Sequence, residues 1–110
     1  MDRLRNTQLN SDSQKAGSVT NLISIRIKTT WENYSTLHSM AGYKYIFARA
    51  RSSNEGAGRG SIIIPMAFFK NGEENNFISI DEKLCGIRYV SDNSISMVSL
   101  STTYNVIDVF

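Results

Sequence analysis

Residues 43–51 read YKYIFARAR, and this stretch decides the fold. Its side chains alternate with a period of two, which is typical of a β-strand. Bulky residues fall on both sides, as expected for a strand in the middle of a sheet. One side carries Tyr43, Tyr45 and Phe47, and the other carries Lys44, Ile46 and Ala48.

The two segments on the N-terminal side of this stretch differ in pattern. Residues 18–28, SVTNLISIRIK, alternate β-branched with polar side chains and predict a half-buried strand. Its apolar face would carry Val19, Ile23, Ile25 and Ile27. Residues 29–42, TTWENYSTLHSMAG, show no clean period. There we expect an irregular connection with at most one helical turn, anchored by Trp31 and Tyr34.

On the C-terminal side, short apolar runs alternate with turn signals. Residues 60–69, GSIIIPMAFF, predict a strand in which Pro65 belongs at a sheet edge or a bulge, because proline donates no ladder hydrogen bond. Asn-Gly at 71–72 and Asp-Asn at 92–93 mark tight turns. Further strands are expected in FISI (77–80), GIRYVS (86–91), SISMVSL (94–100) and the terminal YNVIDVF.

About seven strands separated by short turns, with no segment of convincing helical period, predict an all-β fold. We expect an antiparallel, jelly-roll-like β-sandwich over residues 19–110, with a small barrel as the alternative. Residues 1–18 are polar and are predicted to form a disordered tail, or a connector that orders only against a partner chain.

The composition fits one globular domain and narrows the function. The 110 residues are 41% hydrophobic, and a net charge of +2 is too small to indicate nucleic-acid binding. The single cysteine, Cys85, excludes an internal disulfide and is predicted to be a small buried side chain. The N-terminal region lacks the apolar run of a secretory signal, and no stretch is apolar enough to span a membrane. We therefore expect a protein made in the cytoplasm, without a signal peptide or membrane insertion.

A glycine-rich segment follows the central strand. Residues 52–61, SSNEGAGRGS, hold three of the seven glycines, a composition that also occurs in phosphate-binding loops. The glycine spacing fits neither the Walker phosphate-binding loop nor the dinucleotide-binding fingerprint. The three isoleucines after Ser61 predict a strand instead of the helix N-terminus that those motifs require. We interpret the segment as a mobile loop between two strands.

Catalytic and metal-binding groups are sparse. His38 is the single histidine, and one His with one Cys does not make a zinc site. Acidic pairs at 73–74 and 81–82 lie on predicted turns, where solvated carboxylates are usual, although two carboxylates also serve glycoside hydrolysis. We predict no enzymatic activity, no cofactor and no metal, with a small hydrolase as the alternative.

Side chains suited to ligand binding lie around the glycine-rich loop and on nearby aromatic positions. Arginine, asparagine and glutamate form bidentate hydrogen bonds, and carbohydrate sites commonly combine them with aromatic faces. The candidate ligand-binding residues are Arg49, Arg51, Asn54, Glu55, Arg59, Tyr43, Tyr34 and Trp31. For Trp31 and the tyrosines, packing in the core is the alternative.

The order of these elements resembles that of the small C-terminal β-domains of phage and prophage tail-fibre or minor tail proteins. In such domains a tyrosine-bearing strand leads through a variable loop to a strand similar to GSIIIP, and a hairpin then precedes the last strand. The resemblance is carried by ENY at 32–34, YKYIFARAR at 43–51, GSIIIPMAFF at 60–69, FISI at 77–80, IRYVSDNSISM at 87–97 and the terminal YNVIDVF.

The resemblance implies a receptor-binding or tail-tip structural module of a virion tail, often a homotrimer. Such a module contacts a bacterial surface, commonly its glycans, without an enzymatic step. Only the position of the variable loop, residues 52–60, is carried over as a binding region. The alternative is a prophage assembly or structural protein with no ligand of its own, in which residues 1–18 dock onto another tail protein.

Overall fold

The computed structural model describes residues 20–54 and 60–110, and within them the chain forms eight β-strands and one short helix. The predicted tail at residues 1–18 lies outside the described residues. The elements are β1 (Ile23–Arg26), β2 (Glu32–Ser35), β3 (Tyr45–Arg51), β4 (Ser61–Pro65), α1 (Met66–Phe69), β5 (Asn75–Ile78), β6 (Leu84–Ser91), β7 (Ser94–Ser99) and β8 (Val106–Val109).

The strands form two four-stranded sheets that pack face to face. The first sheet has the order β1-β8-β3-β4 and the second the order β2-β7-β6-β5, with antiparallel pairing throughout. The pairing is nested, because the first strand pairs with the last and the second with the second-last. The predicted antiparallel β-sandwich is confirmed, with eight strands in place of about seven.

Within the stretch YKYIFARAR, Tyr45–Arg51 form the central strand β3, which lies between β8 and β4. Its burial alternates residue by residue: Ile46, Ala48 and Ala50 are fully buried, and the residues between them are half-buried. The alternating residues Tyr45, Phe47, Arg49 and Arg51 therefore lie on the outer face of the first sheet. β3 thus delivers two of the predicted ligand-binding arginines to one face.

The core lies between the inner faces of the two sheets. Cys85 is buried there with 1% of its surface exposed, as predicted. On β7, Ile95, Met97 and Ser99 share the inner face. The largest apolar side chains with less than 2% exposure are Phe69, Leu22, Met40, Ile46, Ile64, Ile87, Ile95, Met97, Ile107 and Val109.

Several sequence predictions are wrong in detail, among them the apolar face of β1, where Ile25 is 38% exposed. Residues 29–42 were expected to be irregular, but they contain β2, an edge strand whose four residues are mostly exposed and therefore show no apolar period. Residues 60–69 were expected to form one strand, but β4 ends at Pro65 and α1 follows. One helical turn brings Met66 and Phe69, three residues apart, into the core.

The glycine-rich segment connects β3 to β4, and its last glycine has a packing role. Gly60 has a φ of 112°, and a Cβ there would overlap the carbonyl oxygen of Ile78 on β5. Only glycine permits that close approach of the two sheets. A strand, not a helix, begins at Ser61, which agrees with the rejection of a phosphate-binding loop. Residues 55–59 lie outside the described part of the chain.

Candidate ligand-binding face

A buried carboxylate occupies the middle of the outer face of the first sheet. Asp108 on β8 is only 2% exposed. Its outward direction follows from the register, in which it is paired with Arg49 of β3, while the adjacent Val109 points into the core. Isolated carboxylates are rarely buried to this extent, so Asp108 requires cationic or hydrogen-bonding partners among the surrounding side chains.

Two arginines from β3 cover Asp108. The Nε of Arg49 donates to Oδ2 at 2.9 Å, and the Nε of Arg51 donates to the same oxygen at 2.7 Å. Arg51 makes a second contact, from Nη2 to Oδ1 at 3.3 Å. We call these three residues the arginine cluster. Within the cluster, two guanidinium groups face one carboxylate.

Hydrogen bonds keep the carboxylate ionised in this setting. Burial alone would raise the pKa of Asp108, but hydrogen bonds from Arg51, Ser24 and Arg49 outweigh burial and lower the pKa. The same contact with Asp108 raises the pKa of Arg51. The cluster is therefore a fixed arrangement of charges at neutral pH.

Apolar side chains adjoin the arginine cluster on the same face. The Arg49 guanidinium lies 5.2 Å from the ring centroid of Phe110, and that ring lies 6.3 Å from the ring of Phe47. Ile63 on β4 is opposite Phe47 in the register and is 62% exposed. We call Phe47, Ile63 and Phe110 the apolar strip. A cation held beside partly exposed rings is a common arrangement in ligand recognition.

The outer face of the second sheet carries a different arginine–aromatic pair. Trp31 is half-buried, and one end of its ring lies against Gly86 on β6, where a Cβ would approach the ring to 2.7 Å. The guanidinium of Arg88 covers the Trp31 ring at 3.8 Å from its centroid. The Arg88 Nε is buried, without a hydrogen-bond partner among the described residues. Trp31 thus packs on the outer face of the second sheet.

An apolar row lies beside this pair on the second sheet. Leu84 is opposite Ile78 in the register and accepts a backbone hydrogen bond from Leu100 on its other side. Ile78 and Leu100 are each 52% exposed. We call these three residues the leucine–isoleucine row. Contiguous exposed apolar side chains of this kind commonly mark contact surfaces.

A cleft opens between β1 and β2, the edge strands on one side of the sandwich. Its volume is about 430 Å³, within the range of small-molecule sites. Burial raises the pKa of Tyr34, which lines it. The described lining residues are all uncharged: Asn21, Ile23, Ser24, Ile25, Tyr34, Ser35 and Leu37. The cleft could therefore hold a small molecule through shape complementarity and apolar contact, without a charged side chain from these lining residues.

The predicted ligand-binding residues fall in several places. Arg49 and Arg51 come together on the first sheet, and the exposed Asn54 follows them in the described part of the loop. Tyr43 packs against the core, and its hydroxyl forms a hydrogen bond with the Thr20 side chain. Trp31 lies on the opposite sheet and Tyr34 in the cleft, as described above. Glu55 and Arg59 lie outside the described residues.

Sequence reasoning missed four residues of the first face, namely Asp108, Phe47, Ile63 and Phe110. One signal was present: in VIDVF the aspartate interrupts an apolar strand run, and a carboxylate there requires cationic partners. The partners themselves come from the register between β8 and β3, which joins residues 59 positions apart.

The candidate catalytic side chains are either held in hydrogen bonds or exposed to solvent. Asp81 accepts hydrogen bonds from the hydroxyls of Ser79 and Ser101, and the bond from Ser79 is the main cause of its lowered pKa. A carboxyl with a lowered pKa is a poor general acid at neutral pH. His38 and Glu82 are exposed.

Residues 20–54 and 60–110 contain no group of three or more His, Cys, Asp or Glu side chains placed to hold a metal ion. Among the same residues, no helix has the length and apolar character needed to cross a membrane. The chain matches no protein-family model, no curated protein and no solved structure.

Proposed function

We propose that this protein is a non-enzymatic, surface-binding module of the phage or prophage tail type, which binds a bacterial cell-surface ligand such as a glycan. The observation that carries the proposal is the arginine cluster beside the apolar strip. Asp108 fixes the two arginines on rigid central strands before any ligand arrives. A preorganised polar group next to an apolar surface loses little entropy on binding.

The position of this face agrees with binding at a variable loop. Arg51 is the last residue of β3, so the arginine cluster lies where the glycine-rich segment leaves the first sheet. Loops on a rigid sandwich commonly carry binding residues, because the strands hold them in place. In this proposal the segment at 52–60 and the first sheet form one binding region.

Binding to bacterial surfaces tests this function directly. The labelled protein is applied to an array of bacterial surface polysaccharides and to whole cells. Ile63→Ser, in the apolar strip, is expected to weaken binding, because it removes exposed apolar area at the ligand. Leu100→Ser on the second sheet is the matched control, since the two side chains are similarly exposed. Absence of binding to every surface, or equal loss in both variants, contradicts the proposal.

A second candidate is a prophage assembly protein with no ligand of its own. The leucine–isoleucine row favours it, because exposed apolar rows also serve as contacts between subunits. On this view the chain forms a homotrimer or joins other tail proteins, with residues 1–18 as a docking segment. Leu100→Asp is then expected to lower the mass measured by light scattering. Deletion of residues 1–18 is expected to abolish co-purification with a tail protein while leaving the fold intact.

A further inference from the structure

We propose that the first sheet binds the carboxylate of an acidic saccharide, such as a uronic-acid residue, and that Arg49 is the residue that holds it. The inference rests on the proposed function and names the ligand class of the same face. It is carried by three observations: the charge of the strands, the way Arg49 is bonded, and the apolar side chains next to it.

The first observation is the charge on the strands of the first sheet. Their charged residues are three arginines and one aspartate: Arg26, Arg49, Arg51 and Asp108. Arg26 on β1 is exposed and is opposite Val106, whose other neighbour in the register is Arg51. The strands therefore carry two positive charges in excess, which attract an anion to this face.

The second observation is that Asp108 does not require Arg49. Arg51 already contacts both carboxylate oxygens, at 2.7 Å and 3.3 Å. Arg49 contacts one oxygen through Nε alone, and no hydrogen bond among the described residues uses its two terminal nitrogens. A guanidinium presents five N–H donors in a planar fork, so the terminal edge of Arg49 is suited to a second carboxylate.

Phe110 fixes the plane of that fork. Its ring lies 5.2 Å from the Arg49 Cζ, and its backbone exchanges hydrogen bonds with Phe47 on β3. The Arg49 side chain is 28% exposed, which leaves part of it accessible to solvent. A guanidinium held at both its Nε and its face loses little freedom when it binds an anion.

The third observation is the mixture of surfaces around Arg49. Ser24 and Ser61 lie in the same row across the sheet, on either side of Asp108 and Arg49, and both are exposed. The apolar strip lies in the next row. A sugar ring has hydroxyls at its edge and an apolar C–H face, so a ring with a carboxylate matches the Ser61 hydroxyl, an aromatic surface and a cation together.

The test uses NMR titration of the whole chain with three probes. The probes are glucuronate, its neutral methyl ester and glucose 6-phosphate. Glucuronate is expected to shift the Arg49 Nε–H and Phe110 ring signals and to bind most tightly. Arg49→Gln is expected to weaken glucuronate binding by about tenfold or more, the effect of one or two charge-assisted hydrogen bonds. Arg49→Lys keeps the charge but loses the fork, and is expected to recover binding only in part.

Arg88→Gln is the matched control, because Arg88 lies on the opposite sheet and also adjoins an aromatic ring. It is expected to leave glucuronate binding unchanged. Equal binding of the acid and the ester, tighter binding of glucose 6-phosphate, or unaltered binding after Arg49→Gln in a folded variant overturns the carboxylate inference. None of these results affects binding to neutral surface polysaccharides on the array, so the proposed function stands or falls separately.

Discussion

The outer faces of the two sheets use the same two groups, an arginine and an aromatic ring, in different ways. On the first sheet Arg49 lies 5.2 Å from the Phe110 ring and is held by the buried Asp108. On the second sheet Arg88 lies 3.8 Å over Trp31, whose ring contacts Gly86. An arginine next to an aromatic side chain is therefore a binding feature on one face and a packing feature on the other.

The two faces should respond to different perturbations. The first face is organised around a buried charge, so its stability depends on electrostatic pairing. The second face is organised around contact between a ring and a glycine, so its stability depends on volume. Variants that alter only charge or only volume can separate the two.

The largest effect is expected from Asp108→Ala. The change leaves Arg49 and Arg51 adjacent to each other without their shared carboxylate, and loss of one partner of a buried ion pair costs about 3–5 kcal/mol. Urea unfolding measures the free energy of unfolding. Asp92→Asn is the control, because its pair with Lys70 at 3.2 Å is well exposed and such pairs contribute about 1 kcal/mol or less. Equal losses in the two variants would remove the distinction drawn for the first face.

The next effect is expected from Gly86→Ala. The added Cβ would lie 2.7 Å and 2.9 Å from two atoms of the Trp31 ring, so the ring must move. Overpacking of this kind costs about 1–3 kcal/mol. Trp31 is the single tryptophan, so its fluorescence reports the displacement without interference, as a shift to longer wavelength.

Gly72→Ala is the control for this change. Gly72 has a φ of 81°, but a Cβ there meets nothing within 4 Å. The control is expected to lose stability through backbone strain and to leave the Trp31 emission unchanged. An unchanged emission in Gly86→Ala would show that the ring does not depend on the glycine.

Most strands were predictable from the sequence, and the exposed edge strand β2 was not. β3 alternates because its inner residues pack in the core and the residues between them are half-buried. β2 pairs on one side only and exposes most of its residues. Its sequence therefore shows no alternation of apolar and polar side chains. α1 was missed for a related reason, since one helical turn is too short to show a period.

The candidate site was predictable only in part. Arg49 and Arg51 were identified because they precede the glycine-rich loop. Asp108 and Phe110 reach them through β8, which the sequence does not align with β3. Trp31 was grouped with the arginines because aromatic and cationic residues often share a site, yet it contacts Gly86 on the other sheet. The pairing register between strands that are distant in sequence decides which side chains meet. Residue composition gives no information about that register.

A smaller effect is expected from acidification of the first face. The pKa of Asp108 is lowered in the folded protein, so its stabilising contribution is complete above the unfolded value of about 3.9 and is lost as the pH falls through the lower folded value. Urea midpoints of the wild type are expected to fall more steeply than those of Asp108→Asn between about pH 5 and about pH 2. Asp81 and Asp92 also have lowered pKa values, but they titrate in both proteins and cancel in the comparison. Parallel curves would contradict the role of Asp108.

The smallest effect is expected from Arg88→Gln. A cation over a partly exposed ring contributes about 1 kcal/mol, so the free energy of unfolding should fall only slightly. The glutamine covers less of Trp31, so quenching of its fluorescence by acrylamide should increase. Arg49→Gln should leave this quenching unchanged, because Arg49 lies on the opposite face of the sandwich. If quenching does not increase in Arg88→Gln, the ring is shielded by contacts other than the guanidinium. The difference between the two arginines would then rest on the first face alone.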